Sequence, residues 1–153
     1  MVQDVIGPLI TYLLSKDDVT NLLDNDPVNT SVKAVYGGRL PPAVAQAEIA
    51  INCMLLRYDG GGRPTAKTDR IQRLGVEVRS IGTNPKRAAD IDYAMTNAVY
   101  NIMRGLTIHG TFFYSVGYGS PLSTIDHYDG WDTVIRELIV TASECRATNN
   151  DNL

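Results

Sequence analysis

Asp126, His127, Asp129 and Asp132 place three carboxylates and an imidazole within seven consecutive positions. Such a set could hold a hard cation through oxygen or pass a proton between imidazole and carboxylate. The stretch lacks the glutamate and the spacing of a calcium loop, and aspartates ahead of a strand commonly satisfy local backbone donors. Catalysis requires nucleophile, base and orienter together, and no Ser/His/Asp or Cys/His arrangement can be read from this sequence. His109 beside Gly110 is similarly isolated. Cys53 and Cys145 show neither metal spacing nor a disulfide framework, which leaves buried thiols as the expectation. A small metal-dependent enzyme built on Asp126–Asp132 is thus the weaker alternative. The expectation is a non-enzyme with no catalytic residue, metal or cofactor.

The glycine triplet in residues 59–69, DGGGRPTAKTD, lies near Arg63 and Lys67 and raises phosphate binding as a second chemistry. Neither phosphate-loop pattern is present, and no helix N-terminus follows. The composition predicts a mobile hairpin loop. Around it, residues 57–87 carry eight of the 14 Lys and Arg but three of the 17 Asp and Glu, including Arg57, Arg63, Lys67, Arg70, Arg73 and Arg79. The middle of the chain is basic and both ends are acidic. Lacking an interleaved aromatic ladder, and with a net charge of −3, the basic stretch is expected to meet an acidic protein surface before DNA.

These residues need a scaffold, and its clearest part is residues 70–106. From Gln72 to Ser80 apolar Leu74, Val76 and Val78 alternate with Arg73, Glu77 and Arg79, the period of a half-buried strand. Asn84-Pro85 then supplies an N-cap and a first-turn proline. A helix follows to about Arg104, with Gly105 placed for the left-handed C-terminal conformation. Ala88, Ile91, Ala94, Met95, Ala98, Ile102 and Leu106 form its core stripe. Tyr93 and Tyr100, with Met103 near them, lie on the opposite side and are expected to face a second surface.

The remaining elements are read in order. A first helix is expected over 8–16, followed by a short one from Asp17 carrying Val19, Leu22 and Leu23. Ser31–Tyr36 is a short β-rich run, and Arg39-Leu40-Pro41-Pro42 an extended passage. Glu48–Tyr58 is apolar on both alternation sets, which predicts a strand covered on both faces and central in the sheet. It pairs with 72–80 as a hairpin. Residues 111–118 form another strand, 122–130 a loop, and 146–153 a frayed tail. In 131–142 Trp131, Val134, Ile135, Leu138, Ile139 and Ala142 also fit a helix, but the β-branched residues and the need of 111–118 for a partner favour a strand. The fold class is α+β: a mostly antiparallel four- to five-stranded sheet with one long helix on one face and short N-terminal helices.

At 153 residues and 44% hydrophobic, the chain has the size of one domain, 1–153, with an adequate core. No apolar run approaches the ~20 residues of a membrane span. The start MVQDVIGPLI lacks signal-peptide features, so a protein made and kept in a cytosol is expected.

The order of these elements, with Tyr36-Gly37-Gly38-Arg39-Leu40-Pro41 ahead of the long strand pair, Arg70-Ile71-Gln72 opening its second strand, and the Ala88–Met103 helix after a short turn, resembles the tail terminator (tail completion) proteins of long-tailed bacteriophages. The likeness spans nearly the whole chain. It implies a virion subunit, assembled in the host cytoplasm, that forms a ring, expected to be a hexamer, capping the head-proximal end of the tail tube and stopping tube growth. It also implies a tail tube protein and a head connector as partners, and DNA passing through the lumen without specific binding. A head-closure or neck connector protein is the neighbouring alternative. On this reading Tyr93, Tyr100 and Met103 make a subunit contact. Arg63, Lys67, Arg70, Arg73 and Arg79 face protein, with Asp126, Asp129 and Asp132 of a neighbouring subunit or of the tube as candidate partners.

Overall fold

The alternation over Gln72–Ser80 becomes one of the two middle strands of a mixed sheet. The computed structural model describes residues 4–47, 50–59, 71–100, 105–125 and 131–144. In chain order its elements are α1 (Ile6–Leu14), α2 (Asp17–Thr20), β1 (Val35–Gly37), α3 (Pro42–Ala45), β2 (Cys53–Tyr58), β3 (Gln72–Gly82), α4 (Pro85–Tyr100), β4 (Leu106–Ile108), β5 (Thr111–Tyr118), β6 (Leu122–Ile125) and β7 (Asp132–Glu144). The sheet order is β1-β2-β3-β7-β5-β4, and β6 pairs with the first residues of β7. Every pairing is antiparallel except that of β1 with β2. The α+β class and the mainly antiparallel sheet stand. Among the described residues the strands number seven instead of four or five: β1 falls at the end of the expected Ser31–Tyr36 run, while β4 and β6 are three and four residues long, too short for alternation to register.

Several boundaries differ from the sequence reading for local reasons. β2 begins at Cys53, since Asn52 is committed elsewhere: its N–H donates to the Asp24 carboxylate at 2.8 Å and its side-chain oxygen accepts from the Thr83 N–H at 3.0 Å. Residues 48 and 49 lie outside the described residues. β2 is covered on both faces as expected, yet it is second from the edge, while β3 and β7 hold the middle. Pro41 is extended, but Pro42–Ala45 winds into a short helix with a proline in its first turn. Leu122–Ile125, expected as loop, pairs with β7. In β5 the register shifts between Phe113 and Ser115, and this bulge lets Phe113 and Val116, three positions apart, both enter the core.

α1 and α4 cover one face of the sheet. The Arg87 N–H donates to the Asn84 side chain at 2.8 Å, the N-cap bond expected of Asn84. Ala88, Ile91, Met95 and Ala98 are buried over Leu74, Val76, Val78, Leu138 and Val140, and the Tyr12 hydroxyl ties α1 to α4 through the Ala98 carbonyl at 2.9 Å. Ile102, Met103 and Arg104 lie outside the described residues. Gly105 has φ 88°, the left-handed conformation that a Cβ would disfavour. Leu106, read as the last member of the helical stripe, instead opens β4 and is 40% exposed.

Among the described residues the opposite face is covered only in part. Leu40 and Val44, on the crossover from β1 to β2, pack with Trp131 on Cys53, Leu55 and Ile81. Farther along β3 and β7 that face carries Arg73, Glu77, Arg79, Glu137 and Thr141, which are exposed or half-buried.

Candidate interaction surfaces

The outer side of α4 follows from helical spacing. Lys86, Asp90, Tyr93, Asn97 and Tyr100 recur at three- and four-residue steps away from the buried stripe. Lys86 bonds Asp90 at 2.8 Å, four residues on. Tyr93 and Tyr100 are 68% and 60% exposed, so neither is covered by α1 or α2. Between this ridge and α2 runs an open groove of about 310 Å³, lined by Asp18, Leu22, Asp90, Tyr93 and Ala94. Its walls are held together by the Arg87 guanidinium, which donates to the Leu22 carbonyl at 3.1 Å.

On the open sheet face, Glu77 accepts from Arg57 at 2.8 Å and from Arg79 at 2.7 Å. Burial, the largest single influence, raises the Glu77 carboxyl. Hydrogen bonds and charge from Arg79 and Arg57 together outweigh it, leaving the group below its ordinary value. Arg79 is therefore committed within its own chain, with a side chain 12% exposed, whereas Arg73 is exposed on the same face. Directly across the ladder from Glu77 stands Glu137. A hydrogen bond to Asp59 raises the Glu137 carboxyl, with burial and the Asp59 charge acting in the same direction. The Asp59 carboxylate lies flat over Gly75, where any side chain would collide with it.

A third charged contact joins the two layers. Arg136 of β7 meets Asp92 of α4 with two bonds, Nε to Oδ1 at 2.9 Å and a terminal nitrogen to Oδ2 at 2.6 Å. Its other terminal nitrogen donates to the Gly119 carbonyl, and the Tyr118 ring lies 5.3 Å from the guanidinium carbon. Hydrogen bonding to Asp92 raises the guanidinium above its ordinary value against the opposing effect of burial. The sequence reading missed this pair; an aspartate beside Ile91 and an arginine inside the apolar run of β7 were the available signal.

The carboxylate and imidazole stretch is only partly visible. Asp132 is half-buried at the start of β7, its backbone opposite Gly82 and Ile125. Asp126, His127 and Asp129 lie outside the described residues, as do Arg63, Lys67 and Arg70. Among the described residues no three His, Cys, Asp or Glu are placed to hold a metal ion. His109, with φ 47°, and Gly110, with φ 80°, form the two-residue turn joining β4 to β5. Cys53 is a buried thiol pushed up to about 12 by burial, and Cys145 lies outside the described residues. No described helix is long and apolar enough to cross a membrane.

Against known proteins, no family model matches the chain, and no curated protein does. Among solved structures, a chain from the virion of a native gene transfer agent particle superposes with a TM-score of 0.60. The two folds are alike. The superposition covers 91% of this chain and 94% of the other at 12% sequence identity. A second solved chain, at 16% identity over 90% of this chain and 95% of the other, reaches a TM-score of 0.44.

Proposed function

We propose that the protein is a structural subunit of a phage-like virion, without catalytic activity, that assembles with copies of itself into a ring. Its place is the head-proximal end of a tail, where a hexamer caps the tube, stops its growth and joins it to the head connector, with DNA passing through the lumen. The observation that carries this reading is the likeness over 91% of the chain to a subunit of a gene transfer agent virion. The element order that resembles tail terminators narrows it. The exposed Tyr93 and Tyr100 on one helical ridge supply aromatic anchors typical of a subunit contact. Arg63, Lys67, Arg70 and Arg73 are assigned to protein contacts rather than to DNA. A conducting channel that held phosphate in every subunit would retain its cargo.

Negative-stain imaging of the purified protein tests the ring, and light scattering on Tyr100→Asp tests the ridge. The expected outcome is closed rings for the unaltered protein and a smaller mass for the variant with an unchanged melting temperature. A variant of unchanged mass and intact fold would remove the ridge from the interface. A neck role instead of a tail-end role would show as rings that bind connectors but leave tail length uncontrolled.

A further inference from the structure

We infer that the groove between α2 and α4 receives the basic 60–70 segment of a second copy of this chain, with Arg63 meeting Asp18. This rests on the ring assembly proposed above and names the two surfaces that would close it. The groove has an apolar floor, Leu22 and Ala94, beside the largely exposed Tyr93 ring. Of its charged groups, Asp90 is engaged by Lys86, and nearby Arg87 is spent on the Leu22 carbonyl. Asp18 is exposed and has no ion-pair partner among the described residues, and Asp17 beside it is in the same state. A carboxylate next to an aromatic face and a short apolar floor suits a guanidinium, whose planar fork pairs with the carboxylate while its face lies against the ring.

The chain carries a segment of that chemistry. Residues 60–70, GGGRPTAKTDR, hold three basic residues and one acid, with no aromatic residue and no bulky aliphatic one. They are bounded by Asp59, whose side chain lies over Gly75 on the open sheet face. The groove is on the opposite side of the molecule, beyond the sheet and beyond α4, whose inner stripe packs on the sheet. An eleven-residue excursion that must leave and return extends at most about 18 Å, and α4 alone is about 10 Å thick. A second copy therefore presents the groove to the segment more directly than the same chain does. Contact between two different surfaces of successive copies is also the head-to-tail kind that generates rings.

Charge exchange tests the pairing. Asp18→Arg and Arg63→Asp are each expected to weaken assembly about tenfold, read by native mass spectrometry over a concentration series. A chain carrying both changes is expected to recover assembly. If the unaltered protein forms rings and both single variants form them equally well, the groove assignment is overturned while the ring stands. If the singles weaken assembly and the double variant does not recover, the direct pairing is overturned. Lower melting temperature at unchanged mass would place the contact within one chain and likewise overturn it. An unaltered protein that stays monomeric throughout would overturn both readings.

Discussion

Asp92 and Arg136 meet between α4 and β7 with side chains 7% and 11% exposed, whereas the Arg57–Glu77 contact on the open sheet face leaves 37% and 20%. Both contacts join a carboxylate to a guanidinium, but their surroundings differ. In the buried contact each partner has lost most of its water, so removing one strands the other in a poorly solvating interior. In the open contact the solvent and a second arginine can take over, so the loss is partial. Asp92 and Arg136 set how the helical layer sits on the sheet, while Arg57, Glu77 and Arg79 lie on its opposite, more solvated face.

Asp92→Ala should break this comparison most visibly. It leaves Arg136 unpaired and is expected to cost about 3–5 kcal/mol, a fall of about 10 °C in melting temperature measurable by circular dichroism. A loss no greater than that of a Glu77 variant would mean the two contacts are energetically alike.

Glu77→Gln is expected to cost about 1 kcal/mol near neutral pH. The folded state lowers the Glu77 carboxyl, so its contribution is present above the unfolded value and fades as pH falls through the folded one. Glu137 lies opposite with the reverse sign: its raised carboxyl favours the folded state at low pH and loses that advantage as pH rises through the folded value. Glu137→Gln should therefore raise the melting temperature slightly at pH 7 and not at pH 4. The Glu77 loss should be clear at pH 7 and shrink at pH 4. Parallel melts of both variants sharpen the contrast; shifts of the same sign would dissolve it. The smallest effect belongs to Lys86→Ala, where the pair with Asp90 is 84% and 42% exposed. Urea titration should find a change of no more than about 0.5 kcal/mol.

What could be read from the residues depended on the length over which a pattern was sustained. β3 and α4 with its Asn84 cap each repeat their period long enough to stand out, whereas β7 carries apolar residues that also fit a helical spacing and reads as a strand because 111–118 needs a partner. β4 and β6 are too short to stand out, and the bulge in β5 interrupts the alternation at Tyr114. The exposure of Tyr93 was legible because two tyrosines opposite a core stripe cannot be buried by the same sheet. The groove beside it was not, since it requires α2 to settle against α4, a contact between residues such as Leu22 and Arg87 that no local period encodes. Asp92 escaped for the same reason: its partner is 44 residues away.

The register of β3 with β7 runs from Gln72 opposite Ala142 to Gly82 opposite Asp132. During synthesis β2 and β3 can form their hairpin early, but the strand that completes β3's other edge leaves the ribosome after α4, β4, β5 and β6. Until then eleven consecutive residues of β3 hold one row of backbone donors and acceptors without a strand beside them, the condition under which nascent chains stick to one another. A translation arrest just before Asp132 would yield a product prone to aggregation, whereas an arrest past Glu144 would release a chain with that edge already closed.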